Sequence, residues 1–408
     1  MTSVSFDPST ATIDRSDERT TPTRARTASS RYISIDVLRG IAVILMIQDH
    51  ITTHLAGVEK FIPHAHVLIA DLGDIPAPLF TFLSGLSYWL WLGAQERAGR
   101  SASDVSKYSL RRGMFIFVVG MMINVFIWLP SQTFIWDILT LIGASALILT
   151  GIRNLRPGTL VAICIAIVIL SPPLRHLSHY QSSWGDPDYS GDPEYHYKPT
   201  LTALIRGFLL NGYFPLFPWL VFLVAGYACG KAFYGHGQQK ARLPLAVVYL
   251  GLVLTALSVG CYLLGANKLS FLPHGYAVEL TYAFYPAATV FVVGALGLTL
   301  IFLWLFNRLL DGNPRITASN VLLAPFRRYS YFVFTTYIVH IAASIWPMWI
   351  LATWHGERDP TEYYGVMTSF QTALILAWCF IVGFYFCLVL LDRHRELSLE
   401  HAMRWLCD

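Results

Sequence analysis

The sequence predicts an all-α membrane protein, a polytopic helix bundle of about ten spans with both termini cytoplasmic. Three observations carry this. First, the 408 residues are 55% hydrophobic and only 13% charged, against about 25% charged for an ordinary soluble domain. Second, apolar windows of about 20 residues, the length that crosses about 30 Å of hydrocarbon, recur along the chain. Third, Lys and Arg concentrate in alternate connecting segments, as cytoplasmic loops do.

Residues 1–31 are rich in Ser, Thr, Asp and Arg and contain no apolar run. They are expected to form a disordered cytoplasmic tail, too long and too acidic at its start for the n-region of a signal peptide. The membrane domain is expected over 32–392 and a short cytoplasmic tail over 393–408. The first apolar window runs from Ile35 to Ala56, has no small-residue cleavage site after it, and is expected to be a retained anchor. Further windows fall near 77–95, 113–129, 137–152, 159–172, 213–230, 244–266, 279–306, 329–351 and 367–391. The 279–306 window is long enough to be tilted or broken at Pro286.

With the N-terminus inside, most of the 29 Lys and Arg lie in cytoplasmic segments, and the outer loops hold Lys60, Arg175, Lys198, Lys268 and Arg358. The longest outer loop, 173–203, is crowded with aromatic, acidic, Pro and Gly residues. It is expected to be either a lid over the outer face or an interfacial loop with its rings at headgroup level. The net charge of +4 does not indicate a nucleic-acid partner. Five of the six cysteines lie in apolar runs and none forms a CxxC pair, so neither a zinc site nor a disulfide framework is indicated.

The first window carries the chemistry. It contains Asp36, Arg39, Asp49, His50 and His54, although each ionisable group in a spanning helix costs at least about 2–3 kcal/mol near its centre. Arg39 and His50 are eleven residues apart, which on a helix brings them within about 20° of one line and about 16 Å apart along the axis. Asp36 lies one turn before Arg39 and His54 one turn after His50. Such a stripe must face the bundle interior or a water-filled cavity. An arginine there can hold a phosphate or a polarised oxygen, and a histidine can act as a base near neutral pH. A proton or substrate path through a transporter is the alternative use of the same stripe.

The pattern Asp-x-x-Arg-Gly with His eleven after the Arg resembles the opening span of the transmembrane acyltransferase superfamily, whose essential Arg and His fall on Arg39 and His50. Four stretches more closely resemble the heparan-α-glucosaminide N-acetyltransferase family. RYISIDVLRGIAVILM opens the membrane domain. HAHVLIADLGDIPAPLFTFLSGLSYWL carries His64, Asp74, Pro78, Phe80, Phe82 and Gly85 in the family register. YFPLFPWLVFLVAGYACGK and RRYSYFVFTTYIVHIA resemble its Pro-Trp span and its late Ser/Tyr span. The family's catalytic histidine falls at His64 and the place of His50 is held there by Asn, whereas this chain has histidine at both. His50 and His64 are therefore both candidate bases.

The resemblance implies acetyl-CoA as cytoplasmic acyl donor and a sugar or glycoconjugate acceptor for an O- or N-acetyl group. His50, His54, His64 and His66 could hold a metal, but they lack a third fixed ligand and no metal is expected. The implied partners are acyl-CoA, that acceptor and the bilayer; homodimerisation is left open. His64 and His66 lie on the loop returning to the second span, where Asp71 and Asp74 can orient an imidazole. Arg111 and Arg112, with Lys107, stand near a helix start before the third span, where backbone donors favour CoA phosphates, and Arg327 and Arg328 can complete the basic patch. Asp137 is read as a helix N-cap or as a group near the acceptor, and His340, one turn after Tyr337, as a satisfied core histidine or a catalytic one.

Overall fold

The computed structural model describes residues 32–56, 73–128, 133–178, 200–235, 242–268, 278–285, 287–313, 315–317, 320–357 and 360–408. Among them the chain is helical, with no β-strand. The helices are α1 (Ile33–Ala56), α2 (Pro76–Arg97), α3 (Ala102–Phe126), α4 (Ile138–Ile152), α5 (Pro157–Leu177), α6 (Leu201–Arg206), α7 (Leu216–Phe233), α8 (Leu245–Lys268), α9 (Thr289–Phe306), α10 (Ala324–Tyr331), α11 (Val333–His355), α12 (Phe370–Leu391) and α13 (Leu399–Cys407). The expected tail over 1–31 lies outside the described residues, as does most of the 173–203 loop.

Seven of these helices are long and apolar enough to cross a membrane: α3, α5, α7, α8, α9, α11 and α12. This is an integral membrane protein. Each of the other three expected windows also holds a helix. α4 is short, with 15 residues, and α1 and α2 are long enough but too polar to join the seven. The reason lies in packing. α1 is surrounded by α2, α9, α10, α11 and α12, so its polar groups meet protein rather than lipid. α5, α8 and α12 have only 17% of their apolar windows buried, and they turn Ile165, Leu252 and Val382 outward, as lipid-facing helices do.

Three boundaries differ from the sequence expectation. α3 starts at Ala102, well before the window near 113–129. α5 continues through Pro172 and Pro173 to Leu177, so Arg175 is in its last turn rather than in a loop. The 279–306 window is not one helix: a 3-10 turn at Val278–Leu280 is followed by irregular chain, and α9 starts only at Thr289. A buried carboxylate links these two segments. Glu279 Oε2 accepts from Arg175 at 2.5 Å and from the backbone N and the hydroxyl of Thr289 at 2.9 and 2.7 Å.

The start of α1 is held in a related way. Its first backbone donors have no partner within the helix, and Asp311 of the π-helical turn after α9 supplies one. Ile33 N donates to Asp311 Oδ1 at 2.8 Å and Ser34 N at 3.3 Å, while the Ser34 hydroxyl bonds Oδ2. A carboxylate at a helix N-terminus is also favoured by the helix dipole.

Glycines set the closest contacts, because backbones can touch only where no Cβ intervenes. A Cβ on Gly85 of α2 would lie 1.9 Å from the Leu223 carbonyl oxygen of α7, and one on Gly226 of α7 would lie 1.9 Å from that of Phe82. Neither obstacle is a flexible side chain. Gly226→Val should therefore lower stability by about 3 kcal/mol, the upper end of overpacking penalties. Gly260→Ala, with nothing within 4 Å of its new Cβ, should cost far less. Thermal unfolding of the two variants in detergent measures the difference.

Candidate functional site

α1 and α11 run parallel, and residue numbers rise together along their contact. The histidine end of the α1 polar stripe faces this seam, and its arginine end faces α2 and α10. At its N-terminal end, Arg39 bonds the hydroxyl of Ser87 on α2 and donates to Ser330 of α10 at 3.3 Å. Asp36 lies 4.0 Å from the Arg39 guanidinium and accepts from Ser330 at 3.4 Å. Gly40 lets α10 come close here, since a Cβ would lie 2.1 Å from the Phe326 carbonyl oxygen.

At the other end, His50 Nδ1 lies 2.9 Å from Nε2 of His340 on α11. His54 Nδ1 lies 2.9 Å from the Ser344 hydroxyl one turn further on. The rings of His50 and His54 are nearly parallel, with centroids 5.4 Å apart. Trp128 and Tyr364 each pack against His54 at 5.3 Å. His340 is wholly buried, His54 nearly so, and His50 only partly. The stripe thus reaches accessible space at His50.

The chain returns to this end just before α2. Gly73 sits against Asp49, whose carboxylate oxygen would be 2.4 Å from a Cβ there. Asp74 is the next residue and is partly exposed. Residues 57–72, with His64, His66 and Asp71, lie outside the described residues. Asp137 stands at the N-cap of α4 but forms no capping hydrogen bond; its carboxylate instead accepts the Tyr337 hydroxyl at 2.6 Å. Tyr337 packs edge-on against His340 at 5.4 Å. This joins α4 to the histidine cluster and replaces the simple capping role expected from sequence.

Arg111 and Arg112 do not stand at a helix start: α3 begins at Ala102, so they and Lys107 lie inside the helix, where the backbone N–H groups are already bonded. Nor do the three form one site. Lys107 and Arg111 are exposed. Arg112 is engaged by Asp408, with Nε donating to Oδ1 at 2.8 Å and a terminal nitrogen to Oδ2, and its guanidinium covers Trp91. A separate cleft lies at the Arg39 end, lined by Arg327, Arg328, Tyr331, Asp392 and Arg395. Arg328 donates to Tyr385 at 2.7 Å, and Arg327 Nε has no hydrogen-bond partner. Arg395 Nε donates to Asp392 Oδ1 at 2.8 Å, and this bond holds the guanidinium above its ordinary pKa. Three cations face one carboxylate, an arrangement suited to an anion. Arg327 is three residues before Ser330, so the cleft adjoins the Arg39 cluster.

Sequence reading found Arg39, His50, His54 and Asp36 because one helix carries them all. It missed Ser87, Ser330 and Ser344, which ordinary hydroxyl residues do not announce, and it placed His340 in the core without its partner. Ser330 and His340 do both fall in the RRYSYFVFTTYIVHIA stretch.

Comparison with known families fits this geometry. The model for "Heparan-alpha-glucosaminide N-acetyltransferase, catalytic" matches residues 31–264, more than half of the chain. No curated relative matches. The matched region runs from α1 into α8 and holds every site residue predicted above except those of α10 and α11. With that coverage, the chain belongs to the catalytic-domain family of heparan-alpha-glucosaminide N-acetyltransferase.

Proposed function

We propose that this protein transfers an acetyl group from cytoplasmic acetyl-CoA to a hydroxyl or amine of an acceptor at the opposite side of the membrane, a sugar or glycoconjugate. The observation that carries this reading is the α1 seam. It joins an arginine cluster beside a cationic cleft to a histidine cluster in which His50 is only partly buried. Family membership supports transferase chemistry over the transporter alternative.

In this reading all ten apolar windows cross the membrane and both termini are cytoplasmic. The parallel run of α1 and α11, the first and ninth crossings, supports an even number of crossings between their starts. The cleft of Arg327, Arg328 and Arg395 then faces the cytoplasm and takes the phosphates of the donor, in place of Arg112, with Lys107 and Arg111 at its approach. Arg39 lies along the path of the pantetheine arm. At the far end His50 removes the proton of the acceptor, and His64, at the family's histidine position, is the alternative base, with Asp74 as its orienting carboxylate. The acceptor oxygen or nitrogen bonds to the thioester carbonyl carbon, the C–S bond breaks, and the CoA sulfur leaves with the proton restored to it. General-base assistance of this kind contributes about 10²–10⁴-fold.

The test is purified protein with radiolabelled acetyl-CoA and a panel of amino sugars and neutral sugars. Release of CoA matched by label on an acceptor is the expected result. Movement of the sugar into vesicles without CoA release would replace this reading with transport.

A further inference from the structure

A neutral imidazole can accept a proton at only one nitrogen, and the hydrogen bond made by the other nitrogen decides which. For His50 that bond is the 2.9 Å contact from Nδ1 to His340 Nε2. The other nitrogen of His340, Nδ1, lies 2.9 Å from the backbone carbonyl oxygen of Thr336, one turn earlier in α11. A carbonyl oxygen has no hydrogen to give, so the hydrogen of that contact sits on His340 Nδ1. In the neutral ring, His340 Nε2 then has only a lone pair, and the hydrogen between the two rings belongs to Nδ1 of His50.

The ring geometry agrees. The two planes are 9° apart and the centroids 5.1 Å apart. With nitrogens 2.9 Å apart, parallel rings at that separation lie edge to edge in nearly one plane, the direction in which an imidazole lone pair points. A cationic His340 would donate from both nitrogens and reverse the bond, so the arrangement that makes His50 a base through Nε2 is the neutral pair. One turn further on the pattern repeats. The Ser344 hydroxyl donates to the Ile341 carbonyl at 3.0 Å and so is left to accept from His54 Nδ1 at 2.9 Å.

We infer that His340 is a positioning residue: anchored by the Thr336 carbonyl, it locks His50 in the tautomer whose Nε2 accepts the proton. This rests on the reading of His50 as the proton acceptor. α11 lies beyond the stretch that matches the family model, so the inference stands on the geometry alone.

Two readouts separate this inference from the reading beneath it. In full-length protein labelled with 15N-histidine, the His50 signals are assigned by their loss in His50→Gln. They are expected to show a protonated Nδ1 and an unprotonated Nε2. The opposite tautomer in the wild type overturns the inference, whatever the variants do. The second readout is turnover. His340→Met fills the space without an acceptor and should lower kcat about 100-fold while leaving KM for acetyl-CoA nearly unchanged. His340→Gln, whose carboxamide oxygen can accept from His50 Nδ1, should restore most of that loss. Equal damage in both variants, with the His50 tautomer unaltered, makes His340 a packing residue and also overturns the inference. Full turnover in His50→Gln, with the expected tautomer in the wild type, removes His50 as the base but leaves the tautomer lock standing.

Discussion

Replacing His50 with alanine should lower acetyl transfer by about 10²–10⁴-fold, the range that a positioned general base contributes. In the proposed reading the arginines at the opposite end of the stripe hold the donor, so the loss should fall on kcat. His64→Ala is the necessary companion, since the family pattern puts its catalytic histidine there. If His50 alone takes the proton, its variant carries the whole effect and the double variant adds little. If the two share the task, each single variant keeps partial activity. Steady-state release of CoA from matched preparations, with helix content checked, reads the result. Normal turnover in both single variants and in the double variant would remove histidine catalysis from this site.

The second large effect is structural. Arg175 and Glu279 are both buried, and their side chains meet at 2.5 Å. Removing one partner of such a pair leaves an uncompensated charge and costs about 3–5 kcal/mol. Glu279→Leu also removes the acceptor of the first backbone N–H of α9 and of the Thr289 hydroxyl. The Arg175 guanidinium keeps its bond to the Ala287 carbonyl, a neutral acceptor that does not replace the lost carboxylate charge. Thermal unfolding in detergent should show a large drop for Glu279→Leu and a smaller one for Arg175→Met/Glu279→Leu, in which no buried charge is stranded. Equal losses in the single and double variants would mean that the packing of the loop, rather than the charge, sets the cost.

The sequence alone determined much of this protein. Charge density and the recurrence of long apolar windows required a helical membrane bundle, because a backbone in hydrocarbon must satisfy its own hydrogen bonds. The spacing from Arg39 to His50 required a polar face on α1, because helical periodicity is a local property. The Asp-x-x-Arg-Gly start and the His64 to Gly85 register pointed to the family that the comparison then identified.

The tertiary structure decided which groups meet. Ser87, Ser330, His340 and Ser344 reach the α1 stripe from helices up to about 290 residues away in sequence, and no periodicity within α1 encodes that approach. The packing also gave Arg112 to Asp408 and Asp137 to Tyr337, because a buried or half-buried polar group takes the nearest complementary partner that folding delivers. Local order follows from residue type and spacing. The hydrogen-bond partners that select one imidazole nitrogen over the other come only from the arrangement of helices in space.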